Sequence, residues 1–362
     1  MGGRDLDRHV SAFDGVRALA IIEVFLYHAF SAHKTYGRYA AVRLGHLGVE
    51  AFFVLSGFLI TIRLLALVER DDLSHAARWR QFLVRRCLRI VPLYYATLLL
   101  LALFGTACGF AVRPLAWPFY FTYSANVLIF TNRGWVGAGG HFWSLCVEEQ
   151  FYLIFPALVF AVPRRVLLVI AAVAIVVTFI ARLAFANATG FGAWAWVLTP
   201  MHFDTLGAGI GAATLVASGA YSNGRCARSL DALGLAAAVA FLAIVVAVPS
   251  SPIANAALPT LLALAAGPLL AALWTKRFWP IAQLLSIRPV VWLGKISYGV
   301  YVFHLFFIVA LWRYRSDWLP PIALVRGALA FTLSIACAAV SWRYFERPIL
   351  AKVRDRMPRA GD

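Results

Sequence analysis

Residues 46–67 read HLGVEAFFVLSGFLITIRLLAL. A run of this length and apolarity crosses a hydrocarbon core of about 30 Å as a helix, and it lacks the alternation of polar and apolar residues that marks a barrel strand. In lipid each backbone N–H and C=O must be paired within the protein, and a helix does this inside one segment. Windows of the same kind recur on either side, at 13–33, 90–112, 142–162, 166–187, 198–218, 230–249, 256–274, 290–312 and 321–345. Of the 362 residues 62% are hydrophobic and 14% charged, where a soluble domain carries about 25% charge. Mean hydropathy is +0.79. These values exclude a water-soluble enzyme and predict an all-α, polytopic integral membrane protein with about ten transmembrane helices.

A single membrane domain over 11–350 is expected, between a polar segment at 1–10 and a basic tail at 351–362. The opening MGGRDLDRHV is too polar for a signal-peptide core, so the first span is expected to stay as an uncleaved anchor. Cys87, Cys108, Cys146, Cys226 and Cys337 have neither paired nor CxxC spacing and read as packing residues. No metal-ligand spacing is present, so no metal is expected. The net charge of +17 would suggest nucleic acid in a soluble protein. With the N-terminus placed in the cytoplasm, about 24 Lys/Arg fall on cytoplasmic segments and about 8 outside, which predicts both termini inside. Arg70, Arg78, Arg80, Arg85, Arg86 and Arg89 fill the second loop, and Arg347, Lys352, Arg354, Arg356 and Arg359 the tail. Membrane lipids are therefore the expected partners of the basic tail, and nucleic acid is not. The long external connection from Arg113 to His141, with Trp117, Tyr120, Tyr123, Trp135 and a GAGG stretch, reads as interfacial or re-entrant.

Charged groups inside a span cost about 2.5 to 3.5 kcal/mol each on insertion scales, so they need partners or a polar cavity. His28 lies about fifteen residues into the first span, roughly 22 Å deep at 1.5 Å per residue. Glu50 sits near the outer start of the second span, and His141, Trp143, Glu148 and Glu149 near that of the fourth. His202 and Asp204 hold the corresponding place in the sixth, and His304 lies midway along the ninth. Acids and imidazoles at one depth suit acid–base chemistry or a proton relay, so both an enzyme and a proton-coupled transporter fit. Arg17 precedes His28 by about three helical turns and shares its face. Arg86 and Arg89 share a face if a helix has begun there, and two guanidiniums can clamp phosphates. A donor with phosphates at the cytoplasmic end and a reactive tip about 15 to 20 Å further in, such as the thioester arm of coenzyme A, fits this layout.

The blocks DGVRALAIIEVFLYH, GVEAFFVLSGFLIT, RRCLRIVPLYY, HFWSLCVEEQFYLIFP, ISYGVYVFH and SWRYFERP, in this order, resemble the signature of the membrane acyltransferase-3 superfamily over about residues 11–350. The resemblance implies a ten-helix enzyme of the bacterial inner membrane. Such an enzyme moves an acyl group, usually acetyl from acetyl-CoA, to a hydroxyl of an extracytoplasmic or lipid-linked carbohydrate. Some relatives instead modify a small molecule such as a macrolide. It further implies His28 as the essential histidine, Arg17 as its paired basic residue, and Arg86 and Arg89 as the arginines linked to the donor. Trp143, Glu148 and Glu149 fall in the FWSLxVEEQFY block. Glu50 stands where the family often has Asp. Some relatives carry an SGNH-type domain after the last span, and here direct transfer or a separate periplasmic transferase is expected.

One of Glu50, Glu148 and Glu149 is expected to orient His28, which acts either as general base or as an acyl carrier. His141, Trp143, Tyr298 and His304 are the expected substrate-side residues. Ser56 and Ser144 are candidates for a nucleophile or an acceptor relay, although a Ser in a span more often bonds back to a carbonyl or aids close packing. Gly207, Gly209 and Gly211 read as a close-packing stripe.

Overall fold

The computed structural model describes residues 6, 8–70, 72–189, 194, 196–222, 224–247, 251–312 and 320–354. Arg356 and Arg359 of the predicted tail lie outside them. Each predicted window coincides with a long helix. They are α1 (Ser11–Phe30), α2 (Leu47–Val68), α3 (His75–Phe104), α4 (Trp143–Ala161), α5 (Arg164–Thr189), α6 (Phe203–Ala217), α7 (Gly224–Ala247), α8 (Pro252–Trp274), α9 (Arg288–Trp312) and α10 (Pro320–Ser341). Eight helical segments among the described residues are long and apolar enough to cross a membrane. The other two long helices, α1 and α6, fall outside this set for physical reasons. The first carries Asp14, Arg17 and Glu23, and the second has only 15 residues. Most of α6 and about half of α1 are buried against other helices, where polar groups and a short length are tolerated.

Two close crossings set the framework. Gly209 of α6 lies so near α2 that an added Cβ would overlap the carbonyl oxygen of Val54. Gly294 of α9 likewise lies against the carbonyl of Asp14 in α1. Without a hydrophobic force between helices in lipid, such backbone approach supplies the packing, and Gly209 is the member of the predicted glycine stripe at the α2 crossing. Gly207 faces Ala171 of α5 at ordinary to tight contact, and Gly211 is only in van der Waals contact there.

The expected second loop is largely helix. Ser74 caps α3 by accepting from the Ala77 N–H at 3.2 Å, and α3 then runs 30 residues past Pro92. Arg78, Arg80, Arg85, Arg86 and Arg89 therefore lie on a helix and not on a loop. The charged stretch hid the helix start because hydropathy windows register lipid contact and not helix propensity. In the turn before α3, Arg70 grips both oxygens of Asp72 at 2.7 and 2.5 Å. That guanidinium holds the Asp72 carboxyl below its ordinary range.

α3 touches α2, α4 and α9 through long side chains more than through close backbones. Tyr298 on α9 donates to the Ile90 carbonyl at 2.7 Å, and Arg86 reaches Tyr152 on α4 at 3.1 Å. A gap remains between these helices. The 113–141 connection folds over one end of the bundle as short helices, Trp117–Phe121 and Ala125–Thr131. Tyr94 and Tyr95 of α3 donate to its Tyr120 and Phe121 carbonyls at 2.8 and 2.6 Å. The five cysteines are free.

Candidate active site

The gap beside α3 is a narrow cavity of about 80 Å3, lined among others by Arg17, Ser56, Arg86, Arg89, Ser144, Glu148, Tyr152, Tyr298 and Tyr301. Five helices, α1, α2, α3, α4 and α9, contribute to it. Arg86 and Arg89 share a face because α3 has already begun at His75, and α1 brings Arg17 to the same space. Arg17 also holds Asp14 at 2.6 Å, an i,i+3 pair, and Asp14 is buried. Three guanidiniums around one narrow space repel each other, an arrangement that favours an anionic occupant.

Further along, a chain of hydrogen bonds links the cationic end to a carboxylate. Arg86 donates to the Tyr152 hydroxyl at 3.1 Å, Tyr152 donates to Ser56 at 3.1 Å, and Ser56 donates to Glu148 at 2.6 Å. The Arg86 guanidinium also lies 4.4 Å from the Tyr152 ring centroid. Ser56 is thus not a back-bonded serine. Tyr152 is a cavity residue that the sequence reading missed, although its place four residues after Glu148 puts both on one helical face.

Ser144 and Tyr301, 2.6 Å apart at their hydroxyls, line the cavity beside a cluster of three imidazoles. His28, His141 and His304 meet there, with ring centroids 5.0 Å apart for His28 and His304 and 5.4 Å for His141 and His304. Backbone carbonyls assign each ring its proton, since a carbonyl can only accept. His304 Nδ1 faces the Tyr301 carbonyl at 2.6 Å, and His141 Nε2 faces that of Val302 at 3.2 Å. His28 Nδ1 faces the Val24 carbonyl at 3.0 Å, which makes Nδ1 the protonated nitrogen and leaves a lone pair on Nε2.

Of the three acids expected to orient His28, Glu50 is engaged elsewhere. Glu50 binds His202 Nδ1 at 2.9 Å and accepts from Thr205 at 3.0 Å, because α2 and α6 cross at their glycines and bring these residues together. Both nitrogens of His202 face oxygens, those of Glu50 and of the Trp196 carbonyl, so the ring is held at both ends. Beside it Arg182 binds Asp204 and Thr260 in the buried interior. Trp143 stacks on His202 at 5.3 Å and 27°, in this second cluster rather than in the cavity. Glu148 faces the cavity. Glu149, one residue and about 100° further round α4, leaves its buried Oε1 without a hydrogen bond. His141 and His304 face the imidazole cluster, and Tyr298 lines the cavity. Glu346 accepts from Ser341 at 2.7 Å.

Asp204 and Arg182 are both fully buried. Asp204→Ala is expected to destabilise the fold by about 3–5 kcal/mol, because it strands a buried guanidinium. Adding Arg182→Met should recover most of the thermal stability in detergent. A double variant no more stable than Asp204→Ala would refute this account of the pair.

No group of His, Cys, Asp and Glu suited to holding a metal occurs among the described residues. The sequence profile of a family described as an acyltransferase domain matches residues 10–341. Over 94% of its length the chain is 26% identical to the peptidoglycan O-acetyltransferase OatA of Listeria monocytogenes, of which it covers 56%. Over 95% of its length it is 27% identical to O-acetyltransferase OatA of Staphylococcus aureus, of which it covers 58%. The chain thus spans little more than half the length of these curated relatives. No solved structure matches it.

Proposed function

We propose that this chain, which belongs to the acyltransferase domain family, is a multi-pass enzyme of the bacterial inner membrane that moves an acetyl group from acetyl-CoA to a carbohydrate hydroxyl. The carbohydrate is extracytoplasmic or lipid-linked. The Listeria relative is named for peptidoglycan, which makes that polymer the first acceptor to try. The observation that carries the reading is the pairing, across five helices, of a three-arginine cavity with an imidazole cluster at its Ser144–Tyr301 side.

In this reading the termini are cytoplasmic, the phosphates of the donor sit on Arg86 and Arg89 with Arg17 beside them, and the pantetheine arm runs toward His28. Arg17 and His28 lie about 16 Å apart along α1 at 1.5 Å per residue, a span suited to that arm. The acceptor O–H gives its proton to His28 Nε2 while its oxygen bonds to the thioester carbon. The tetrahedral intermediate then collapses, the C–S bond breaks, and the thiolate leaves, taking the proton back from His28 to become the free thiol. An acyl-imidazole on the same nitrogen would instead give ping-pong kinetics.

The test supplies membranes with radiolabelled acetyl-CoA and native acceptor, with and without the expressed protein, and separates glycan, lipid and small-molecule pools. Label in the glycan or lipid-linked pool only with the protein supports the reading. Label confined to small molecules moves the acceptor class. An absence of transfer and of acetyl-CoA binding reopens the proton-coupled transporter.

A further inference from the structure

The resemblance marks His28 as the essential histidine, and the structure places His304 against it and His141 beside His304. Among the described residues His28 has no carboxylate partner. Its Nδ1 lies 3.2 Å from His304 Nε2 and 3.0 Å from the Val24 carbonyl. The Tyr301 carbonyl, 2.6 Å from His304 Nδ1, takes the proton of that ring, so Nε2 of His304 offers a lone pair. The geometry therefore closes in one way: His28 Nδ1–H is shared between a carbonyl oxygen and the lone pair of a neutral imidazole.

We infer that His304 is the positioning residue of His28, holding by its Nε2 lone pair the His28 tautomer whose Nε2 is free to take the acceptor's proton. This inference rests on the reading of His28 as the base. It gives His304 the part that a carboxylate plays in an Asp–His pair, with one physical difference. A buried carboxylate needs its own counter-charge, whereas a neutral imidazole supports the transient imidazolium without adding a permanent charge. His304 is fully buried, and a lone anion there would be expensive.

One turn of α9 organises the whole cluster. The Tyr301 carbonyl accepts from His304, the Val302 carbonyl faces His141 Nε2 at 3.2 Å, and the Tyr301 hydroxyl donates to the His141 carbonyl at 2.5 Å. His141 packs edge-on against His304 at 84°. Tyr27 lies edge-on to His28 at 5.3 Å, and His46 packs on Tyr27 at 5.4 Å. The α9 turn thus also fixes the orientation of His141 and His304, by giving each ring a backbone carbonyl as hydrogen-bond acceptor.

Two variants of similar volume separate positioning from mere packing. His304→Leu removes the acceptor, and His304→Gln restores one through its side-chain carbonyl. In the acetyl-transfer assay His304→Leu is expected to lower kcat roughly 10- to 100-fold, as loss of a hydrogen bond to a charged group implies. KM for acetyl-CoA should stay the same, and His304→Gln should regain roughly tenfold of the loss. Equal kcat for the two folded variants, or two variants as fast as wild type, would overturn the inference. A parallel His28→Gln control separates the two claims. If that control stays active, the reading of His28 fails, and if it is inactive while both His304 variants match wild type, only this inference fails. Nitrogen-15 spectra of histidine-labelled wild type give an answer that does not depend on folding of the variants. They should show His28 protonated at Nδ1 and bare at Nε2, and the reverse tautomer would refute the assignment.

Discussion

His28→Ala is expected to lower kcat for acetyl transfer roughly 100- to 10,000-fold, the usual contribution of a positioned base, while KM for acetyl-CoA stays within about twofold. The split follows from the layout. The ring of His28 sits in the imidazole cluster on α1 and is not among the residues that line the arginine cavity. Removal of the ring therefore acts on the proton and not on the phosphates. A ternary-complex enzyme would still bind the donor, so a binding assay with acetyl-CoA and a single-turnover assay on the same membranes give the two halves of the result. Loss of donor binding in His28→Ala, at unchanged thermal stability, would show that the ring holds the donor and would sink the base assignment. His28→Ala also leaves His304 Nε2 without its donor. Because that atom is a neutral acceptor, the penalty to the fold stays at about 1–3 kcal/mol.

The second large effect is at the other end of the cavity. Arg86→Ala and Arg89→Ala are each expected to raise the dissociation constant for CoA roughly 10- to 100-fold, since charge-assisted bonds to phosphate contribute about 1.5–3 kcal/mol apiece. The effect on folding should have the opposite sign from that of Asp204→Ala. Arg17, Arg86 and Arg89 crowd one narrow cavity with like charge, so neutralising one relieves repulsion. Arg89→Met is therefore expected to keep or raise the melting temperature while donor affinity falls. Arg86 also packs on the Tyr152 ring, so Arg86→Lys, which keeps the charge but loses the planar fork, is the control. A lower melting temperature for Arg89→Met with unchanged CoA affinity would mean that the cluster is structural.

The positions of all ten long helices were legible because the cost of polar backbone in lipid is a local property of each segment. The start of α3 was not, since its first half is basic and amphipathic and carries no hydropathy signal. Arg17, Arg86 and Arg89 were recognisable by type and spacing, and the cavity gathers all three. Tyr152 was within reach from its i,i+4 relation to Glu148, as Asp14 was from its i,i+3 relation to Arg17. The link from Glu148 through Ser56 and Tyr152 to Arg86 was not, because it crosses three helices.

The amino-acid sequence by itself determined the membrane class, the approximate helix positions and most of the buried ionisable residues, because each follows from transfer energies and spacing along one chain. Only the tertiary structure decided which of these residues meet. Glu50 and His28 read as one slab by depth, yet depth leaves rotation about each helix axis and the choice of neighbour undetermined. The α2–α6 crossing at Gly209 turns Glu50 to His202, and the α1–α9 crossing at Gly294 turns His28 to His304. Partner choice is a property of backbone approach between helices far apart in sequence, and hydrogen bonds act over about 3 Å, far less than the width of a helix.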